Sequence, residues 1–379
     1  MVKLLDIVGQ DAAVASLQRR IAAGRMGHAL MFTGPHGVGR RTTAVALAGA
    51  LLCENPQTIL NNGRFAGLDD GFQLTDACGQ CGDCKTLEAG THPDFKIITK
   101  ELAAFHPDPQ VRSRKMQNLG IDVIRHFLLE GAHLAASRGR GKVFVVREAE
   151  LMSAAGQNAL LKTLEEPPPG VTIIMICRRS EQMLPTTISR CHSVHFGPLP
   201  LDFVVERLVR EDVAADEALF WASFTEGSAG RSLSLGRSDM YAIKREMLDE
   251  LAAMGPGGNS ALGERLQKIT DAQAIEAVKT AKMDDGAELS KMLATRRATG
   301  IMLELVSAGF RDAISLSTGA DRPLVNADQR QTIESIARKR STRQLVGAIE
   351  QLSRYEQLLW RNVNPKIVWD NVVLACASG

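Results

Sequence analysis

The chain has 379 residues, a formal net charge of +2, and a composition that is 45% hydrophobic but only 4% aromatic. That length points to two or three domains, and the low aromatic content suits helices packed on a modest sheet rather than a β-sandwich. A nearly neutral charge balance excludes a globally polybasic nucleic-acid binder, so any such contact must come from local patches.

No run of about 18 apolar residues marks a membrane span. Met1–Gln10 lacks the basic-then-apolar pattern of a signal peptide, so a cytoplasmic location is expected. In chain order, Asp6–Gly24 has helical spacing at Val14, Leu17 and Ile21. His28–Thr33 is a short apolar strand, followed by the glycine-rich stretch Gly34–Gly39 and an Ala/Leu-rich helix from about Thr42 to Cys53. Strand, glycine-rich loop, helix is the order of a P-loop. An insertion rich in Gly, Asp and Cys covers about residues 53–90. Strands are then expected at Phe95–Ile98, Val143–Val146, Val171–Cys177 and Val194–Phe196, with helices at Gly120–Ala136 and Leu151–Glu166. Pro167, Pro168 and Pro169 stop the second helix. Alternating strands and helices imply a parallel sheet with helices on its faces. After Pro198 the patterns are helical, with breaks at Gly227–Gly230 and Gly255–Gly258. The expected division is 1–197 for the α/β P-loop domain, 198–238 for a small helical domain and 239–379 for a larger helical domain.

A working P-loop of the Walker A kind reads G-x-x-x-x-G-K-[ST]: backbone N–H groups cradle phosphates, the Lys reaches the β- and γ-phosphates, and the hydroxyl binds Mg²⁺. Gly34, Gly37 and Gly39 supply the loop, but Arg40 stands at the Lys position and Arg41 at the hydroxyl position. A planar guanidinium does not imitate a compact ammonium in a tight loop, and a cation cannot ligate a cation. A one-residue slip that would use Arg41 and Thr42 conflicts with the loop's fixed spacing. The second Mg²⁺ position repeats the pattern. The strand Val143–Val146 should end in Asp-Glu and ends in Arg147-Glu148. The expectation is a subunit that does not itself use ATP and Mg²⁺ for hydrolysis.

The chain has seven cysteines, of which Cys78, Cys81 and Cys84 form C-x₂-C-x₂-C. Such turns bring thiolates within reach of one tetrahedral ion, and Cys53 is the natural fourth ligand of a structural Zn²⁺ site. Free thiols or an iron–sulfur cluster are the alternatives, and His92 is a substitute ligand. Cys177 and Cys376 read as packing residues.

Further motifs follow in order: Ile7-Val8-Gly9-Gln10, His28-Ala29-Leu30, Ile121-Asp122 with Arg125, Asn158-Ala159-Leu160-Leu161-Lys162 running into Leu164-Glu165-Glu166-Pro167-Pro168, and Leu184-Pro185-Thr186 leading to Ser189-Arg190-Cys191. Over its whole length the chain resembles the clamp-loader branch of the AAA+ ATPases, as found in bacterial DNA polymerase III. The resemblance implies a RecA-like AAA+ domain, a helical lid and an all-α collar that assembles subunits into a ring. It implies that Arg190 is an arginine finger reaching the ATP site of a neighbouring subunit. It places a sensor 1 position around Cys177 and Arg178, without the expected polar residue, and a sensor 2 position at Gly230-Arg231, where Arg231 could equally be a helix-face charge. Asn362-Val363-Asn364-Pro365-Lys366 resembles the last collar helix. Leu358, Leu359 and Trp360 could face neighbours, though a plain helical core explains them nearly as well. The implied partners are gamma/tau and delta subunits, a sliding clamp and primer–template DNA, with no membrane. Two other readings stay open: an active gamma/tau-type motor, and a zinc-stabilised DNA-binding scaffold using Arg112, Arg114, Lys115, Arg138, Arg140 and Lys142.

Overall fold

The protein's structure, a computed structural model, describes residues 1–24, 26–113, 118–254, 260–284, 290–359, 361 and 365–377. Among these, seven strands form: β1 Ala29–Thr33, β2 Gln57–Leu60, β3 Gln73–Asp76, β4 Phe95–Ile98, β5 Lys142–Val146, β6 Val171–Cys177 and β7 His192–His195. The chain divides into two compact units, Met1–Val204 with Glu226–Arg231, and Val205–Thr225 with Ser232–Gly379.

The first unit is built on a parallel five-stranded sheet in the order β4-β5-β6-β1-β7. Every residue of β1, β5 and β6 is buried, as expected for central strands covered on both faces. This explains why they read as uninterrupted apolar runs. The register pairs Thr33 with Cys177. The loop leaving β1 and the residues leaving β6 therefore meet at the carboxyl edge, where open α/β sheets place ligand crevices. This is the parallel α/β core with surrounding helices that the AAA+ resemblance implies.

Helix Ala154–Glu165 starts with Ser153 as N-cap, its side chain accepting from Gly156 N, and stops before the three prolines. The helix expected over Gly120–Ala136 is interrupted. Ile121–Ile124 and Glu130–His133 are α-helical, with one π-turn at Arg125–Leu129 between them. The 53–90 insertion holds two unanticipated elements, the antiparallel hairpin β2–β3 and the helix Gly82–Glu88. All four β2 residues are exposed, so the strand carries no alternation to read. Its partner β3 is fastened by side chains instead. The Gln18 amide donates to Thr75 O and accepts from Thr75 N, and Asp76 accepts from the Leu4 and Leu5 amides.

The second unit is all helical among its described residues. Its longest helix, Lys291–Thr318, is N-capped by Ser290, which accepts from Leu293 N, and ends at Gly319 in the left-handed region at φ 67°. Met302, Leu305, Val306 and Phe310 of this helix are buried, and Trp369 donates its indole N–H to Thr270 Oγ1 at 3.1 Å. Leu359 is buried within its own unit, which excludes it as a residue facing a neighbour. Trp360 and Asn362–Asn364 lie outside the described residues, as does the 255–258 break; the final helix runs Pro365–Ala377. No helix among the described residues is long and apolar enough to cross a membrane.

Candidate functional site

The cysteines meet where three elements end. Cys53 caps the helix Arg40–Leu52, Cys78 follows β3, and Cys81 and Cys84 flank the start of Gly82–Glu88. All four sulfurs lie within 4.8 Å of one another. Individual separations are 3.8 Å for Cys53–Cys81, 3.7 Å for Cys53–Cys84 and 3.9 Å for Cys78–Cys84. A disulfide requires about 2.05 Å. A tetrahedral ion about 2.3 Å from each ligand requires sulfurs about 3.8 Å apart. The spacing is that of ligands around one ion. Backbone amides reinforce it: Cys78 N donates to Cys53 Sγ at 3.3 Å, Cys81 N to Cys78 Sγ at 3.3 Å, and Cys84 N to Cys81 Sγ at 3.4 Å. The amides of Gln80 and Cys81 hold the Cys78 thiol down at about 6, while burial pushes Cys53 and Cys84 up. Four thiols gathered this closely, two of them buried, form a donor set that fits a dication. His92, the substitute ligand, instead places Nε2 3.4 Å from Asp83 Oδ1, both buried.

The glycine-rich loop crosses the carboxyl edge of the sheet. Gly34 has φ 138°, and a Cβ there would lie 2.2 Å from Phe196 O; at Gly37, φ 76°, it would lie 2.3 Å from Ser228 Oγ. Both positions therefore require glycine. Ser228 Oγ donates to His36 O at 2.6 Å and Gly230 N to Gly37 O at 3.0 Å, which brings Gly230-Arg231 against the loop. Arg40 is only 7% exposed, and its Nη1 donates to Cys177 O at the end of β6. Its guanidinium is thus committed to the chain's own backbone. Desolvation lowers the His36 pKa, and Arg40, Arg178 and Arg147 lower it further. The loop's surroundings are cationic. Arg41 is exposed at the start of the helix and Arg147 half-buried after β5. Glu148 sits in the left-handed region at φ 48°, with its carboxylate 3.5 Å from Lys100 Nζ.

The third cluster surrounds Arg190, two residues before β7. The short helix Pro185–Ile188 delivers it, and its backbone N–H closes on Thr187 O at 3.2 Å. Its Nε donates to Glu165 Oε1 at 2.8 Å, its Nη2 donates to the same oxygen, and its Nη1 donates to Thr186 O at 2.9 Å.

Residues 9–200, about half of the chain, match a family profile described as DNA polymerase III, delta subunit, and residues 272–377 match its C-terminal counterpart. The chain belongs to the DNA polymerase III delta subunit family. It is 33% identical over 250 residues to the delta-prime subunit of Escherichia coli, covering 66% of this chain and 65% of that protein, just under two thirds of its length. It is 24% identical over 372 residues to delta-prime of Bacillus subtilis, 98% of this chain and 97% of that one. It is also 29% identical over 307 residues to the tau subunit of Escherichia coli, covering 79% of this chain and 41% of that protein.

In this family member, the residues read from sequence fall into three separate clusters: the four cysteines, the loop with Arg40 and Arg231, and Arg190. One basic position changes meaning. Lys142 is buried, with its Nζ on Gly131 O at 2.8 Å, so it is no part of a surface patch. Arg140 donates to Glu54 O at 2.5 Å and Arg112 to His106 O at 2.8 Å. Arg114 and Lys115 lie outside the described residues. The partners Lys100, Glu165 and Ser228 went unread. Only Glu165 carried a sequence signal: an acid in the last turn of a helix opposes the helix dipole and calls for a cation.

Proposed function

We propose that this chain is a non-hydrolysing subunit of the DNA polymerase III clamp loader. It serves as a stator and completes a neighbouring subunit's ATP site with Arg190 while a sliding clamp is loaded onto primer–template DNA. The partners are gamma/tau and delta subunits, and Cys53, Cys78, Cys81 and Cys84 hold a structural zinc ion. The observation that carries the reading is the run of substituted positions at the carboxyl edge of the sheet. Arg40 replaces the phosphate-binding Lys and bonds inward to Cys177 O. Arg41 and Arg147 replace the two Mg²⁺ ligands, and Glu148 lies beside Lys100. Repulsion between those cations and Mg²⁺ opposes hydrolysis at this chain's own loop. Arg190 stands apart from that loop, half-exposed and in its family motif.

Two measurements test this. The purified chain with Mg²⁺ and ATP shows no turnover above background; steady hydrolysis would favour the gamma/tau-type motor and sink the stator reading. In the assembled complex, Arg190→Ala lowers hydrolysis at one interfacial site by about 10³, the lower end for arginine fingers. Total DNA-stimulated ATPase falls by that site's share while assembly persists. Turnover equal to wild type would remove Arg190 from the mechanism. A DNA-binding scaffold is the weaker reading, because Lys142 is internal and no aromatic residue is interleaved with Arg138 and Arg140 in the sequence.

A further inference from the structure

Glu165 ends the helix Ala154–Glu165, one residue before Glu166 and the three prolines. Two carboxylates at a helix C-terminus oppose the macrodipole, and a local rule broken on a rigid element marks a site with another task. The side chain is half-exposed, so burial does not explain it. It accepts two N–H groups of Arg190, from Nε at 2.8 Å and from Nη2. Thr186 O takes a third, from Nη1, at 2.9 Å. A guanidinium carries five N–H donors in a planar fork. Three make close bonds within the chain, and the second N–H of Nη1 makes a long one to Ser189 Oγ at 3.4 Å. The second N–H of Nη2, together with the Nη1 N–H once a stronger acceptor displaces Ser189 Oγ, supplies two donors for two oxygens of a phosphate.

We propose that Glu165 is the positioning residue for Arg190: it holds the guanidinium in one orientation, so that the finger meets the neighbour's γ-phosphate pre-ordered. This rests on the reading of Arg190 as a finger in trans. An arginine side chain loses considerable rotamer freedom when it is immobilised. Glu165 and Thr186 impose that order before assembly, from the helix end and from the turn that precedes β7. An exposed ion pair of this kind is weak, so Glu165 constrains the finger without competing strongly with a phosphate dianion.

The test uses the full chain assembled with its ATP-binding partner subunits, with the other ATP sites inactivated so that one interface is read. Glu165→Ala lowers kcat at that site about fivefold, the weight of an exposed ion pair. KM for ATP and complex assembly do not change. Glu165→Gln, which keeps an acceptor oxygen, recovers to within about twofold of wild type. In an Arg190→Ala background, Glu165→Ala has no further effect. A Glu165→Ala variant with normal kcat, or one that slows the Arg190→Ala complex by the same factor, overturns the proposal while leaving the finger intact. An Arg190→Ala complex with normal turnover overturns both. The isolated chain gives a readout independent of activity: the Arg190 Nε–H signal is slowed in solvent exchange in wild type and fast in Glu165→Ala. Equal exchange in the two overturns the positioning role.

Discussion

Replacing Cys84 with serine, or withdrawing zinc with a strong chelator, melts the 53–90 insertion while the five-stranded sheet survives. The packing explains why the loss is both large and local. The cluster at the heart of the insertion consists of Cys53, Ala77 and Cys84, with Met1, Cys78 and Cys81 against it. The residues packed around the sulfurs are small; Phe65, Leu74 and Leu87 are also buried in the insertion, but β2 is exposed along its whole length, which leaves the hairpin a thin apolar core. With zinc held as proposed, four thiolates around one ion would supply what that core lacks, on the order of 10 kcal/mol in small metal domains. The sheet has its own continuous core, including Met31, Ile124, Phe144, Leu160 and Ile173, and does not depend on the ion. The expected result of elemental analysis on the purified chain is about one zinc per molecule. After chelation, or in Cys84→Ser, limited proteolysis cuts first between residues 54 and 90, and far-ultraviolet circular dichroism falls only slightly. A chain without stoichiometric zinc, or one whose insertion resists protease equally with and without it, refutes the metal site.

Local patterns carried most of the sheet. Central strands buried on both faces leave apolar runs, so β1, β5 and β6 could be read to within a residue or two, and β4 at its observed bounds. The C-x₂-C-x₂-C spacing was equally local, and its fourth member was reachable because a helix ends at Cys53. Features made by side chains meeting across the fold were not legible. The hairpin depends on Gln18 meeting Thr75 and Asp76 meeting Leu4 and Leu5, contacts between segments far apart in sequence. The commitment of Arg40 to Cys177 O depends on β1 and β6 being neighbours, which sheet order decides. Lys142 read as a charged loop residue because its acceptor, Gly131 O, sits on a helix whose packing the sequence does not state. The π-turn at Arg125–Leu129 has no compositional mark, since its residues are ordinary helix formers apart from the shift in register.

Asp328→Ala destabilises the helical unit by about 3–5 kcal/mol, the range for stranding one member of a buried ion pair. Lys244 is completely buried, and its Nζ donates to Asp328 Oδ2 at 2.7 Å and Oδ1 at 3.0 Å. Tyr241 donates its hydroxyl to the same carboxylate at 3.0 Å, and the ammonium lies 4.0 Å from the centre of the Phe220 ring. Burial pulls the Lys244 pKa down, and Asp328 is the main group opposing that pull. Without Asp328 the ammonium keeps its desolvation and loses its counter-charge, a penalty that the Phe220 ring offsets only in part. For a unit of this size, about 2–4 °C per kcal/mol puts the loss in Tm at roughly 10 °C by calorimetry. The pH dependence has a defined sign. The folded variant binds the Lys244 proton less tightly than the unfolded chain, so its stability rises with pH towards the ordinary lysine value of about 10.4, and the deficit narrows there. Lys244→Met on the Asp328→Ala background removes the stranded charge and keeps most of the volume. The double variant is therefore more stable than Asp328→Ala alone, against the usual expectation that a second core substitution adds to the first. Losses that simply add, or a deficit that ignores pH, would show that packing rather than paired charge holds this position.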